Sequence, residues 1–272
     1  MEYLRNQKIC PALFNLLSSA SDSGKKTLSQ NFLHDTSIRD KILEAVSPSP
    51  EKSILEIGPG LGKMTEPLSK MCQLTAVEKD RRLIAHLSHL PIKLLNQDIL
   101  TISLEGSFYD TIVSNIPYNI TSPLLRKLQN EKQSFAKAIL MVQKEVAEAL
   151  SSPYAKRAFF AEMQLSFSIR LLFIVPKTAF RPIPKVDSAV IELIPRKKTY
   201  AQNVFSLVQT LFRHPRKMIG STLKKYSLEL GSLQSLEKKR PSEVPTEELA
   251  SKLDSYDRRV HTAKLGKKKC SR

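Results

Sequence analysis

The sequence predicts an α/β fold: a mainly parallel sheet with helices on both faces, followed by a small C-terminal all-α domain. Three observations predict it. Short apolar strands alternate with helical stretches between residues 35 and 150. A glycine-rich turn, Gly58-Pro59-Gly60-Leu61-Gly62, follows the first strand and opens a helix. Strand signals vanish after Arg196-Lys197-Lys198.

The elements follow in order. Asp35 precedes Ile38, Ile42, Leu43 and Val46, a capped helix that Pro48 stops. Residues 53–57 are a short apolar strand that ends at the glycines, and a helix over 63–71 comes next. A second strand, 74–77, ends at Glu78, and Asp80 caps a helix to about residue 90. A third, 92–95, ends near Asp98, and a fourth, 111–113, ends in Ser114-Asn115. Ser122 opens another helix. Residues 138–142 give a fifth strand and 144–150 a helix. Two later apolar segments, 171–175 and 189–194, are joined by a proline-rich loop, 176–184, and read as a closing antiparallel pair. Helical patterns then occupy 204–212, 218–226, 233–238 and 247–253. The expected division is an N-terminal extension at 1–24, an α/β domain at 25–196 and a basic helical domain at 197–272.

Composition narrows the function classes. Hydrophobic residues make up 41% and charged residues 25% of the 272, the balance of a folded globular protein. No apolar run approaches the ~20 residues of a membrane helix. The apolar stretch at 12–17 lacks the basic flank and cleavage pattern of a secretory signal, so a cytoplasmic address is expected. Cys10, Cys72 and Cys270 are far apart, and no CxxC pair exists. Neither zinc nor a disulfide framework is expected. His86 and His89 lack a third ligand nearby, so no metal is expected. Net charge is +17. Residues 196–272 carry +12 of it, with 19 Lys and Arg against 7 Asp and Glu. A domain that basic suits a polyanion, above all a nucleic acid.

The glycine turn alone fits a dinucleotide site or a simple turn. Its neighbours favour S-adenosylmethionine. The spacing is GxGxG rather than GxGxxG. Glu56 sits two residues before Gly58, where it can balance a cationic amino-acid moiety. Glu78 ends the next strand, placed to accept from both ribose hydroxyls, a feature shared with NAD sites. Asp98 ends the third strand, placed to accept from an adenine amino group.

The fourth strand runs into Asn115-Ile116-Pro117-Tyr118-Asn119. An adenine amino nitrogen is a poor nucleophile, because its lone pair is delocalised into the ring. Two acceptors at its N–H groups orient it and favour a pyramidal nitrogen. The Asn115 side-chain oxygen supplies one, and a backbone carbonyl held rigid by X-Pro geometry the other. Tyr118 offers a face for stacking the base. Such chemistry is positioning and electrostatics, with no covalent enzyme intermediate.

These residues give the chain its resemblance to the bacterial small-subunit (16S) rRNA adenine N6,N6-dimethyltransferases, the KsgA/RsmA family. The matching segments are Lys25 to Leu33, the glycine loop, Val77-Glu78-Lys79-Asp80, Gln97-Asp98, Asn115 to Asn119, and Phe180 to Val190. The resemblance implies a class I (Rossmann-like) methyltransferase at 25–196 with an RNA-binding domain at 197–272. It implies dimethylation of two adjacent adenosines in the 3′-terminal hairpin of small-subunit rRNA, on a pre-30S particle, by a monomer. Asn31, Leu33, Gly58, Glu78, Asp98 and Asn115 are then the cofactor contacts. Asn115, the Ile116 carbonyl, Pro117 and Tyr118 hold the target base, and Phe180 helps to close on it. Three positions depart from the family pattern. Ser29 replaces a glycine, Ile183 a proline, and Pro215 a basic residue inside a basic helix that proline breaks.

Three rival readings also fit parts of the sequence. An erythromycin-resistance type methylates 23S rRNA and shares the catalytic core, but the long basic tail and the complete 180–190 segment favour the small-subunit enzyme. A DNA adenine methyltransferase uses similar Asn-Pro-x-Tyr chemistry, but no separate DNA-recognition domain is visible. A non-catalytic 30S assembly factor would not need intact Glu78, Asp98, Asn115 and Tyr118.

Overall fold

The computed structural model describes residues 31–226 and 230–255. The expectations for the 1–24 extension, Lys25 to Gln30, Cys10, Cys270 and the tail from residue 256 lie outside the described residues.

Helix α1 (Thr36–Val46) starts as the sequence predicts. The Asp35 carboxylate accepts from the backbone N–H groups of Ser37 and Ile38, at 2.8 and 3.2 Å. The helix buries Ile38, Ile42 and Val46. The strands follow as β2 (Ser53–Ile57), β3 (Gln73–Glu78), β4 (Lys93–Asn96), β5 (Tyr109–Asn115), β6 (Phe135–Gln143), β7 (Phe167–Val175) and β9 (Ser188–Pro195). They form one seven-stranded sheet in the order β4-β3-β2-β5-β6-β9-β7. The five strands from β4 to β6 are parallel. β2 is buried along nearly its whole length, as a strand covered on both faces must be. The last two expected strands are neighbours at one edge, with β9 between β6 and β7.

Several elements differ from the expectation. The helix expected over 63–71 is regular only in α2 (Thr65–Leu68). Pro67 has no N–H to continue the ladder, and Lys70 and Met71 bond three residues back instead of four. Helix α3 (Arg81–Leu87) is capped by Asp80 and is shorter than expected. Helices α4 (Thr121–Asn130) and α5 (Lys144–Ser151) lie where expected. Helix α6 (Ala158–Ser166) was not expected at all. Two-residue strands β1 (Phe32–Leu33) and β8 (Phe180–Arg181) pair antiparallel as a small second sheet.

By chain contact the described residues fall into two units. The first runs to Lys144 and resumes over Leu172–Glu192; its core includes Ile42, Ile54, Leu68, Val113, Ile139 and Val190. The second takes Glu145–Leu171 together with the chain from Leu193 on. Its helices are α5 from Glu145 on, α6, α7 (Gln202–Phe212), α8 (Ile219–Lys225), a 3-10 turn at Gly231–Leu236 and a helix over 246–255. Ala161 and Leu165 of α6 share one core with Val204, Val208 and Leu211 of α7, so residues 145–171 belong with the helices. Pro215 falls in the turn between α7 and α8, where it interrupts nothing.

Among the described residues no helix is long and apolar enough to cross a membrane. None of their His, Cys, Asp and Glu side chains are grouped to hold a metal. The Cys72 thiol donates to the Leu68 carbonyl at 3.2 Å, and burial pushes its pKa up to about 11, which makes it a poor nucleophile.

Candidate active site

From β2 the chain builds outward to β3 and β4, then returns to lay β5 on the other side of β2. Such a reversal leaves a crevice at the carboxyl ends of the two central strands. A cavity opens there. Asn31 lines it from just before β1, Leu33 from β1 itself, Gly58 from the turn after β2, and Glu78 from the end of β3. Asp98 follows β4; Asn115, Pro117 and Tyr118 come from the end of β5; Phe180 comes from β8. These nine residues, with Glu56 and Ile116, which the sequence also assigns to the site, therefore line one cavity.

The glycine turn is tied to β3 by the Gly58 N–H, which donates to the Val77 carbonyl at 2.9 Å. Gly58 has φ +69°, and a Cβ there would meet nothing within 4 Å, so the space beside it is open to a ligand. Glu78 is buried. One of its oxygens accepts from the Asp80 N–H at 2.9 Å and the other from the Gly60 N–H at 3.3 Å. Burial raises its pKa, and these backbone donors oppose the rise.

Glu56 is 4% exposed, and its Oε2 has no hydrogen-bond partner. Burial pushes its carboxyl up to about 7, with the Glu78 charge adding to the rise. The neighbouring Thr65 hydroxyl, close but outside hydrogen-bonding geometry, pulls the other way. An unpartnered acid among the residues that line a cavity is suited to a cation.

Asp98 is engaged twice: it accepts from Lys79 Nζ at 2.8 Å and from the Leu100 N–H at 3.0 Å. The Lys79 ammonium, then the Leu100 N–H, hold its carboxyl below the ordinary aspartate range.

Asn115 ends β5, and its Nδ2 donates to the Asn31 carbonyl at 3.1 Å. That bond fixes which end of the amide is which, and leaves Oδ1 as the acceptor. The Pro117 carbonyl already accepts from the Ile120 N–H at 3.0 Å. The Tyr118 hydroxyl is 2.9 Å from the Ser188 Oγ, and Ser188 is fully buried in β9. Phe180 is 1% exposed and part of the core, so it forms a wall of the cavity.

Sequence reasoning missed three residues. Phe32 lines the cavity from β1; it stood inside the Lys25 to Leu33 segment without a role. Lys63, one residue beyond the glycine turn, also lines it, and burial holds its ammonium below the ordinary lysine value. Ser188 pins Tyr118 across seventy positions of sequence, and no local pattern announces that.

The model of the family described as ribosomal RNA adenine dimethylase matches residues 21–258. The ribosomal RNA small subunit methyltransferase A of Chlorobium luteolum is 40% identical over 212 residues, covering 74% of this chain and 78% of that protein. The protein of the same name from Neisseria gonorrhoeae is 39% identical over 216 residues, covering 74% and 83%. Of solved structures, a dimethyladenosine transferase from Plasmodium falciparum gives a TM-score of 0.71 at 22% identity, over 82% of this chain and 95% of that one. The 23S rRNA methyltransferase ErmE gives 0.70 at 25% identity, over 83% and 99%.

Proposed function

The chain belongs to the ribosomal RNA adenine dimethylase family, a family of S-adenosylmethionine-dependent class I enzymes, and from that premise we propose that it dimethylates N6 of two adjacent adenosines in the 3′-terminal hairpin of small-subunit rRNA. It acts on the pre-30S particle, in the cytoplasm, as a monomer. The basic segment 197–272, whose described part packs with residues 145–171 in one helical unit, holds the RNA. The observation that carries this reading is the pinned pair at the end of β5: Asn115 oriented by the Asn31 carbonyl, and Tyr118 oriented by Ser188.

The cavity's donor set suits the cofactor. Glu78 serves the ribose hydroxyls, Asp98 the adenine amino group, and the orphaned Glu56 oxygen the ammonium of the amino-acid moiety. Gly58 leaves room for it. When bound, S-adenosylmethionine supplies an electrophilic methyl group on a positively charged sulfur. The protein's part is to present the nucleophile. Asn115 Oδ1 accepts one N–H of the target amino group. The second acceptor, as the family resemblance implies, is the Ile116 carbonyl, held rigid by the following proline. Tyr118 stacks on the base, and the buried walls, Phe180 among them, exclude water.

The Glu56 role has a pH signature. Below the ordinary glutamate value the group is neutral whether folded or unfolded, so it has no effect on stability. Between 4.5 and about 7 only the unfolded chain ionises, which costs the free protein stability, and above about 7 that cost is complete. A bound cation needs the ionised form. Cofactor affinity measured by calorimetry should therefore fall about tenfold per pH unit below 7, and the slope should disappear in Glu56→Gln. A wild-type affinity that is flat from pH 5 to 8 removes Glu56 from the site.

The substrate is tested by labelled-methyl transfer to unmethylated 30S particles, with the modified nucleosides identified by mass spectrometry. N6,N6-dimethyladenosine in the small-subunit RNA is the expected product. Transfer confined to 50S precursors overturns the substrate and leaves the chemistry.

A further inference from the structure

The turn between α7 and α8 carries a feature that the methyl-transfer site does not use. Residues 213–226 hold five Lys and Arg and no acid. Arg213, Arg216, Lys217, Lys224 and Lys225 are all exposed. Set among them are two aromatic rings, His214 and Tyr226, nearly parallel at 30° with centroids 6.4 Å apart. Lys225 Nζ lies 3.0 Å from His214 Nε2 and 5.6 Å from the centre of the Tyr226 ring. An ammonium has only protons to give, so His214 accepts at Nε2 and its ring is neutral. Burial, then Lys225, Lys217 and Arg213, hold its pKa below the ordinary histidine value, which keeps it so. Tyr226 is 37% exposed, and Met218, at the start of α8, 47%.

The backbone here is firmly held. The Lys217 N–H donates to the His214 carbonyl at 2.9 Å. The first N–H groups of α8, which a helix leaves without internal partners, donate to the Lys239 and Glu237 carbonyls at 2.8 and 3.0 Å. The patch is preformed.

Cations alone would suit any nucleic-acid backbone. Partly exposed aromatic rings among them suit something more specific, because a duplex hides its base faces and an unpaired nucleotide offers them. We propose that this patch binds an unpaired nucleotide of the RNA substrate, its base stacked on Tyr226 and its flanking phosphates held by Lys225, Lys217 and Arg213. The proposal rests on the RNA-substrate reading above and adds where, and by what contact, the helical unit grips. It is a second RNA contact, made by residues other than those of the catalytic cavity.

Stacking and charge have separable signatures. Base stacking is insensitive to salt, whereas each neutralised phosphate on a single strand adds about 0.7 to the slope of log affinity against log salt. The experiment is binding of the full chain to unmethylated small-subunit rRNA at a series of salt concentrations. Tyr226→Ala should weaken binding about tenfold at every salt concentration, with the slope unchanged. Tyr226→Phe should bind as wild type does. A Lys217→Ala/Lys225→Ala double variant should lose about 1.4 from the slope. Wild-type affinity in Tyr226→Ala, or equal weakening in Tyr226→Phe, overturns the stacking contact and leaves the substrate reading intact. Failure of the wild type to bind this RNA overturns both.

Discussion

Asn115→Ala should lower the rate of methyl transfer by about a hundred- to a thousandfold, the usual effect of removing one preorganised group aimed at the reacting atoms. The geometry explains the size. Asn115 has one acceptor and two donors, and a donor is committed to the Asn31 carbonyl at 3.1 Å. The amide is thus locked with its oxygen available to the substrate. Alanine removes the acceptor and also releases Asn31. Asn115→Asp should be nearly as damaging, because a carboxylate cannot donate to Asn31 and would face its carbonyl. Single-turnover transfer at saturating RNA, with cofactor affinity measured separately, checks this. The loss should fall on the chemical step, with at most a modest change in cofactor binding. A rate within tenfold of wild type would take Asn115 out of the catalytic set.

Gly62→Ala should destabilise the protein by about 2–4 kcal/mol, combining a left-handed backbone with overpacking. Gly62 has φ +82°, and a Cβ there would lie 2.7 Å from Leu87 Cδ2. Leu87 is buried at the end of α3 and has little room to retreat. Gly58→Ala is the control. It has the same sense of backbone twist but open space around the new methyl group. It should cost about 1 kcal/mol in stability and a much larger share of cofactor affinity, because that open space belongs to the ligand. Urea unfolding of both variants, beside cofactor titration, separates the two roles. Equal destabilisation would mean that the Leu87 contact is not what makes position 62 a glycine.

What could be read from the sequence was what has a local cause. Asp35 and Asp80 announce their helices, because a capping carboxylate acts on N–H groups two and three residues on. β2 is legible as an apolar run stopped by glycines. The site's acids were legible because strand ends in register are a pattern in the chain itself. Helix α6 was hidden for the opposite reason. It buries Ala161, Met163 and Leu165 together with Glu162 and Ser166, so it shows no apolar stripe to follow. β1 and β8 are two residues each and exist only by pairing across 147 positions. The engagement of Asp98 by Lys79 and of Tyr118 by Ser188 depends on the folded arrangement, and no spacing rule encodes it.

The strand order also sets a timetable for synthesis. β7 leaves the ribosome before β9, yet β9 takes the place beside β6 and β7 lies outside it. From the end of β6 at Gln143 to the end of β9 at Pro195 the ribosome adds about fifty residues. At about 5–20 residues per second that is a wait of roughly 3–10 s. Throughout it, β6 offers a nine-residue, largely apolar edge with no lasting partner, the kind of edge that recruits wrong strands and holdase chaperones. The five parallel strands that frame the cofactor crevice are complete before the wait begins. Ser188, at the start of β9, arrives only near its end. Translation therefore delivers the strands that frame the crevice first and Ser188, the partner of the Tyr118 hydroxyl, only later.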